Sequence, residues 1–445
     1  MPRPGWVSMR DILLTAFIVG LLPLAVKRPF VGLLMWVWIS LMSPGRLTWG
    51  FAYALPFAQM AALAMFLGLL LQARNLYRFP LTPVTAASLL LIMWLCISPV
   101  FRIEVDMQAR EFELWSRAIK VQVMVLITFL VVGTRDQLHK LVWVMTMSVA
   151  FYGIKGGVFV IATGGNYRVW GPAQSFIGDN NHMALALVMT IPLMRYLQLQ
   201  AKRKWEGAAY SLFGLLCFVS AIGSYSRGAL LALAGMGLFL WAKGRHKLRT
   251  AMFFLAFIPF VLIFMPDAWF ERMETIATYQ EDESAQGRLT AWLVAWNVAV
   301  DRFPIGGGFT VWSDRVFVDY LPSPEMARAA HSIYFQILGE HGFGGLALFL
   351  AVFTAAFFTG SSVIRQARGR ADLAWAADMA RMCQVSLIAF AVGGAFLSLS
   401  YFDFPYYVAA VTVVLRRIVT LGEPLPLLNP AYPPAQSAVV REAPR

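Results

Sequence analysis

Charge is scarce in this sequence of 445 residues: Asp, Glu, Lys and Arg together make up 14%, against 59% hydrophobic residues. A soluble domain carries roughly 25% charged residues, so a soluble globular fold is disfavoured. Cysteine is rarer still. Cys96, Cys217 and Cys383 are scattered through apolar stretches without metal-ligand spacing and read as core or lipid-facing residues. There is no Walker motif, no G-x-S-x-G, no H-E-x-x-H and no Asp-rich run. ATP hydrolysis and zinc proteolysis are therefore disfavoured, and neither a metal nor a cofactor is expected. The period-two alternation of a membrane β-barrel is also missing.

What the chain does have is apolar runs of about 20 residues from end to end, each long enough to cross the hydrocarbon core of a bilayer. Backbone polar groups must be satisfied internally in lipid, so these runs are helices. The fold class is an all-α polytopic membrane protein of about 12 transmembrane helices. Residues 1–266 hold the N-terminal helices, the last of them over 251–266. Residues 267–332 form a large loop containing short helices, 333–420 the C-terminal helices, and 421–445 a Pro- and Ala-rich, disordered tail. The net charge of +13 reads as cytoplasmic anchoring and not as affinity for nucleic acid. Lys202–Lys204, Lys243–Arg249, Arg365, Arg368, Arg370, Arg416 and Arg417 lie in the cytoplasm by the positive-inside rule. The large loop then faces out. Thirteen spans would put the N-terminus outside; twelve, with both ends inside, accommodates Arg3 and Arg10.

The large loop contains five arginines, ten acidic residues and no lysine. Arginine without lysine suggests forked contacts to phosphate or carboxylate, with salt bridges inside the loop as the alternative. Arg227, in Ser224-Tyr225-Ser226-Arg227-Gly228, sits at the outer end of a hairpin of two apolar helices. A charge there is costly unless paired or hydrated, and snorkelling to the headgroups is the competing reading. Arg288 opens an amphipathic helix, where helix N-terminal amides favour an anion; a surface arginine is the alternative. Arg168 lies in an outer loop, and Asp179-Asn180-Asn181-His182 follows it. Lys155 is an intramembrane lysine near the outer end of its span. His331, where the large loop meets the next helix, titrates near neutrality and suits a general base. Tyr225 could stack on a sugar or serve in the interfacial aromatic belt. Glu340 and His341 could be a core pair. A transporter or flippase also has polytopic helices and intramembrane cations, but no internal repeat is visible and the cations gather at the outer face.

At these residues the chain resembles the O-antigen ligase and polymerase superfamily of bacterial inner membranes. Ser224-Tyr225-Ser226-Arg227-Gly228-Ala229 is similar to its S-x-S-R-G-A motif. Pro304-Ile305-Gly306-Gly307-Gly308, His331-Ser332 and Leu338-Gly339-Glu340-His341-Gly342-Phe343-Gly344-Gly345-Leu346 are similar to its long-loop signature. Ser332 stands where many members have Asn. The first 130 residues resemble a subgroup of exosortase-associated O-glycosylation ligases. The resemblance implies metal-independent, inverting transfer of a glycan from undecaprenyl pyrophosphate at the periplasmic face, in contact with membrane lipids. The acceptor would be the lipid A core oligosaccharide in a ligase, another repeat unit in a polymerase, or a protein hydroxyl in a protein O-oligosaccharyltransferase. In this scheme His331, Arg288 and Arg227 are catalytic. Arg168, Lys155, Tyr225, Asn181 and His182 bind the pyrophosphate or glycan.

Overall fold

The computed structural model describes residues 8–243, 264–274, 283–322 and 326–428, with Met252 and Pro259 alone between the first two stretches. The helices are α1 (Met9–Lys27), α2 (Pro29–Met42), α3 (Phe57–Leu71), α4 (Pro83–Ile97), α5 (Gln108–Val131), α6 (Arg135–Ala162), α7 (Asn180–Leu199), α8 (Lys204–Ile222) and α9 (Arg227–Lys243). They continue with α10 (Asp267–Glu274), α11 (Glu283–Asp301), α12 (Asp314–Tyr320), α13 (Ile333–Gln366), α14 (Ala374–Gly394) and α15 (Asp403–Leu421). Among the described residues no strand forms beyond an isolated Tyr77–Leu427 bridge. The chain is an all-α, multi-pass membrane protein. Nine of the described helices are long and apolar enough to cross a bilayer, while α2 and α3 are shorter apolar helices. The span expected over 251–266, and most of the Lys243–Arg249 cluster, lie outside the described residues.

Local chemistry explains where the helices start. Thr134 accepts the Gln137 amide proton while the Gln137 side chain reaches back to the Thr134 amide, a capping box before α6. Pro29 and Pro83 occupy first-turn positions of α2 and α4, where a missing N–H costs nothing. Helices α7 and α15 are the most enclosed of the spans, with 72% and 78% of their apolar windows buried, so they form the centre and the others surround them. Gly153, Gly156 and Gly157 of α6 face Cys217, Ser220 and Leu216 of α8 so closely that a Cβ would overlap the neighbour. This is the small-residue approach by which membrane helices pack. Cys217 and Cys383 are buried and Cys96 is exposed.

The two described termini lie at opposite ends of the bundle. At the start of α1, Asp11 accepts the Gly50 and Ala52 amides at 3.1 and 3.0 Å, in the α2–α3 connection. After α15, the Leu425 amide donates to Gly133 and the Leu428 amide to Leu76, in the connections at the other end. This corrects the expectation of both ends on one side. The parity follows from α1 already starting at the α2–α3 end. Nor does disorder begin at residue 421, because Leu425 is buried and docked; residues 429–445 lie outside the described residues.

Candidate active site

The carbonyls at the end of α8 build the first half of the site. A helix leaves its last four carbonyls without intrahelical partners, and here three separate segments come to satisfy them or their neighbours. Trp269 of α10 donates to Ile222 O at 3.2 Å, the Val169 amide to Gly223 O at 3.2 Å, and Asn180 Nδ2 to Ser224 O at 2.7 Å. Ser226 Oγ then accepts the Ala229 amide at 3.2 Å and so caps α9. The S-x-S-R-G-A motif is thus a junction, and Arg227 stands, half-buried, on the first residue of α9 at its centre.

Tyr225 sits within the junction in left-handed backbone, φ 60°. Its hydroxyl donates to Gly165 O at 2.8 Å, and the exposed Arg168 guanidinium lies over its ring, 5.4 Å from the centroid. The ring is 5% exposed, so Tyr225 anchors the 163–179 loop and presents Arg168; one ring face is already occupied. Burial raises its hydroxyl pKa.

The second half gathers around the start of α7. Asp179 caps that helix, accepting the Asn181 and His182 amides at 2.8 and 3.4 Å. Its carboxylate acts electrostatically on both His182 and His331, and the charge of His331 acts on His182. His331 is exposed, with left-handed backbone of φ 46°, and its amide donates to Ser398 Oγ at 2.9 Å. Such a conformation costs a β-carbon-bearing residue about 1–3 kcal/mol and recurs at functional sites. Desolvation by the surrounding protein, then the charge of Arg288, pushes the imidazole pKa below its ordinary value, with Asp179 opposing. Neutral imidazole, the form that accepts a proton, is therefore favoured.

Helix α11 brings Arg288 there. Arg288 and Trp292 are one turn apart and share a helix face. The Trp292 indole donates to Ala330 O at 2.7 Å and stacks on Phe335 with centroids 4.7 Å apart, bracketing His331. Because α11 is already helical at Glu283, Arg288 lies beyond its first turn. The helix-terminus amides expected beside it are thus not its own neighbours, and its contribution is the guanidinium. Arg328 packs over Gly287, where a β-carbon would meet it.

One sequence candidate stays apart. Lys155 is exposed on the α6 face that also carries Phe151, Val158 and Phe159, whose large apolar side chains are exposed as well. The glycines beside it face α8, so Lys155 points away from the junction. Asn181, half-buried, bonds Asn180 Oδ1 at 3.3 Å and lies within the cluster. Asp179, which couples the two histidines, was quoted in the sequence motif but not singled out. The signal was present: an acid one residue before a helix that carries a histidine in its first turn.

Residues 212–350 match the O-antigen ligase family. This match supports the O-antigen ligase superfamily over that segment. Residues 9–202 match a family of unknown function, DUF5935. No curated protein matches the chain. The ligase segment supplies Arg227, Arg288 and His331, while Arg168, Asp179 and His182 come from the other matched segment.

The rest of the ligase signature holds the large loop in place. Helix α13 kinks at Gly342, with φ 65° and ψ −167°, a region open essentially to glycine. The glycine-rich turn plugs that kink: Gly307 and Gly308 amides donate to Gly339 O and Glu340 O at 2.9 Å, and the Gly344 amide to Pro304 O at 3.1 Å. Glu340 accepts the Trp312 indole at 2.8 Å and the Tyr401 hydroxyl. His341 bonds Ser98 Oγ and Tyr401 Oη, both at 2.6 Å. Both side chains are buried and satisfied, so they are a core pair. From α5, buried Glu111 accepts the Phe309 and Thr310 amides at 2.9 Å and the Thr310 hydroxyl at 2.8 Å, and from the connection before α5 Glu104 accepts the Ser313 hydroxyl. The large loop is therefore clasped to the bundle on two sides.

Proposed function

We propose that the chain transfers a glycan from undecaprenyl pyrophosphate to a hydroxyl of the lipid A core oligosaccharide, at the periplasmic face of the bacterial inner membrane. The observation that carries the reading is the convergence of His331, Arg288 and Arg227, from the segment that matches the ligase family, with His182, Asp179 and Arg168 from the other matched segment. Lys202–Lys204 and Arg365–Arg370 lie at the opposite end of the helices that begin or end in this cluster, and the positive-inside rule supports a periplasmic site.

In this reading His331 takes the acceptor hydroxyl proton as the oxygen attacks the anomeric carbon. The bond from that carbon to the pyrophosphate oxygen breaks on the opposite face, giving inversion in one displacement. Arg227, Arg288 and Arg168 stabilise the charge that develops on the leaving pyrophosphate, which departs on its lipid. The donor already carries a good leaving group, so neither a nucleotide nor a cofactor has a part in the step. The test is a reconstituted assay with undecaprenyl-pyrophosphate-linked glycan and lipid A–core glycolipid. The expected result is a glycosylated acceptor and free undecaprenyl pyrophosphate, formed only when both substrates are present. Glycan movement across the bilayer without a new glycosidic bond would overturn the reading in favour of transport.

A further inference from the structure

A cavity of about 940 Å³ opens between the α2–α3 connection, the start of α5 and the loop that leads into α7. Among the described residues, three arginines line it, Arg46, Arg110 and Arg117, and no carboxylate does. Glu113 lies between the two α5 arginines and bonds both, Arg110 at 2.8 Å. This fixes their guanidinium groups while leaving further N–H donors on each. Arg46 lies over the Tyr53 ring, 4.6 Å from its centroid, which leaves the edge of its fork open. With Glu113 counted against the three arginines, two positive charges remain, enough to match one phosphate dianion. The polar walls are completed by Ser43, Gln174 and Ser175. Among the described residues, the four non-glycine residues with left-handed backbone are Ser43, Gln174, Tyr225 and His331. Two of these are in the candidate site and the other two line this cavity.

The cavity adjoins that site. The loop that contributes Gln174 and Ser175 continues through Phe176 to Asp179, whose carboxylate accepts the His182 amide. A single loop separates the arginines from the His182–His331 pair. We propose that this cavity binds an oxyanion, phosphate or carboxylate, carried on the acceptor sugar, so that His331 faces the acceptor's hydroxyl. Two anion sites divide the work: Arg227, Arg288 and Arg168 for the donor's pyrophosphate, and Arg46, Arg110 and Arg117 for the acceptor. All the lining residues fall within 9–202, so the segment that matches a family of unknown function gains a role in acceptor recognition. The inference rests on the glycan-transfer reading above.

The test is binding of lipid A–core glycolipid to the purified full-length chain. Three probes are used: native, dephosphorylated and carboxyl-reduced. A double variant, Arg46→Gln with Arg117→Gln, should bind the native probe at least about tenfold more weakly, the loss of one charge-assisted contact. One of the stripped probes should bind wild type as weakly as the native probe binds the variant, and that probe names the group. The Arg46→Lys, Arg117→Lys variant should recover part of the affinity, which a merely structural role would not require. Equal binding of the native probe by wild type and double variant overturns the proposal. So does equal binding of all three probes by wild type, or no binding at all. Unchanged acceptor affinity in the double variant with transfer intact would remove this inference and leave the function standing. Acceptor bound through the arginines without transfer would do the reverse.

Discussion

Glu111→Gln tests how the large loop is held. The carboxylate accepts three hydrogen bonds, two of them from backbone amides, and the site is buried. Glutamine keeps the shape but replaces one oxygen with an NH₂ group. Whichever way the amide is turned, that group faces the Phe309 or the Thr310 N–H, and two donors oppose each other. An unsatisfied buried N–H costs about 1–3 kcal/mol, and bonds to a charged acceptor exceed neutral ones by a further increment, so about 3 kcal/mol is expected in total. That corresponds to a rise of roughly 10²-fold in the opening of this clasp. Hydrogen exchange of the Phe309 and Thr310 amides reads the opening directly, with the enclosed amides of α7 as the control. Their protection should fall by about that factor while α7 is unchanged, because the second clasp at Gly342 still holds. Unaltered exchange at Phe309 and Thr310 would refute the reasoning that Glu111 fastens the loop.

In Arg288→Gln, the residual transfer activity should lose its acid limb at higher pH than in wild type, because a positive charge that depresses the His331 pKa is gone. Asp179→Asn, which still caps α7, should move that limb to lower pH; coincident pH–rate profiles for both variants and wild type would exclude His331 as the titrating group. Gly342→Ala should lower the melting temperature sharply, since a β-carbon would overlap the Pro304 carbonyl in a backbone region that costs a non-glycine residue about 1–3 kcal/mol; a wild-type melting curve would contradict the plugged kink. Single cysteines at exposed Met9 and Val318 should both react with an impermeant maleimide in spheroplasts, whereas one at Trp205 should react only after lysis; labelling of Trp205 without Met9 and Val318 would invert the orientation.

Much of this was legible because the bilayer imposes its own arithmetic. Runs of apolar residues dictate helices, and the sparse cations stand out against them. Arg227, Arg288 and His331 could be chosen as polar groups in a chain that otherwise avoids charge. Their convergence could not, because it depends on side chains that meet across large sequence separation: Trp292 on Ala330, Asn180 on Ser224, Trp269 on Ile222. Lys155 was misleading for a physical reason. Hydropathy reports that a lysine lies in a span but not which face it occupies, and the glycines around it mark packing on α8 instead of a pocket. The termini were misjudged because the short connection between α1 and α2 leaves almost no break in hydropathy, so one crossing was discounted. Glu104 and Glu111 carried no motif at all; only the fold shows that two carboxylates outside the loop hold it down.

In the proposed reaction His331 takes the proton while the arginines hold the donor. The direct measurement is transfer rate and donor affinity in His331→Ala, with folding matched to wild type by melting temperature. Donor affinity should stay close to wild type and turnover should fall by roughly 10²–10⁴-fold, the usual contribution of a general base. Turnover near the wild-type rate would contradict this and remove His331 from the reaction.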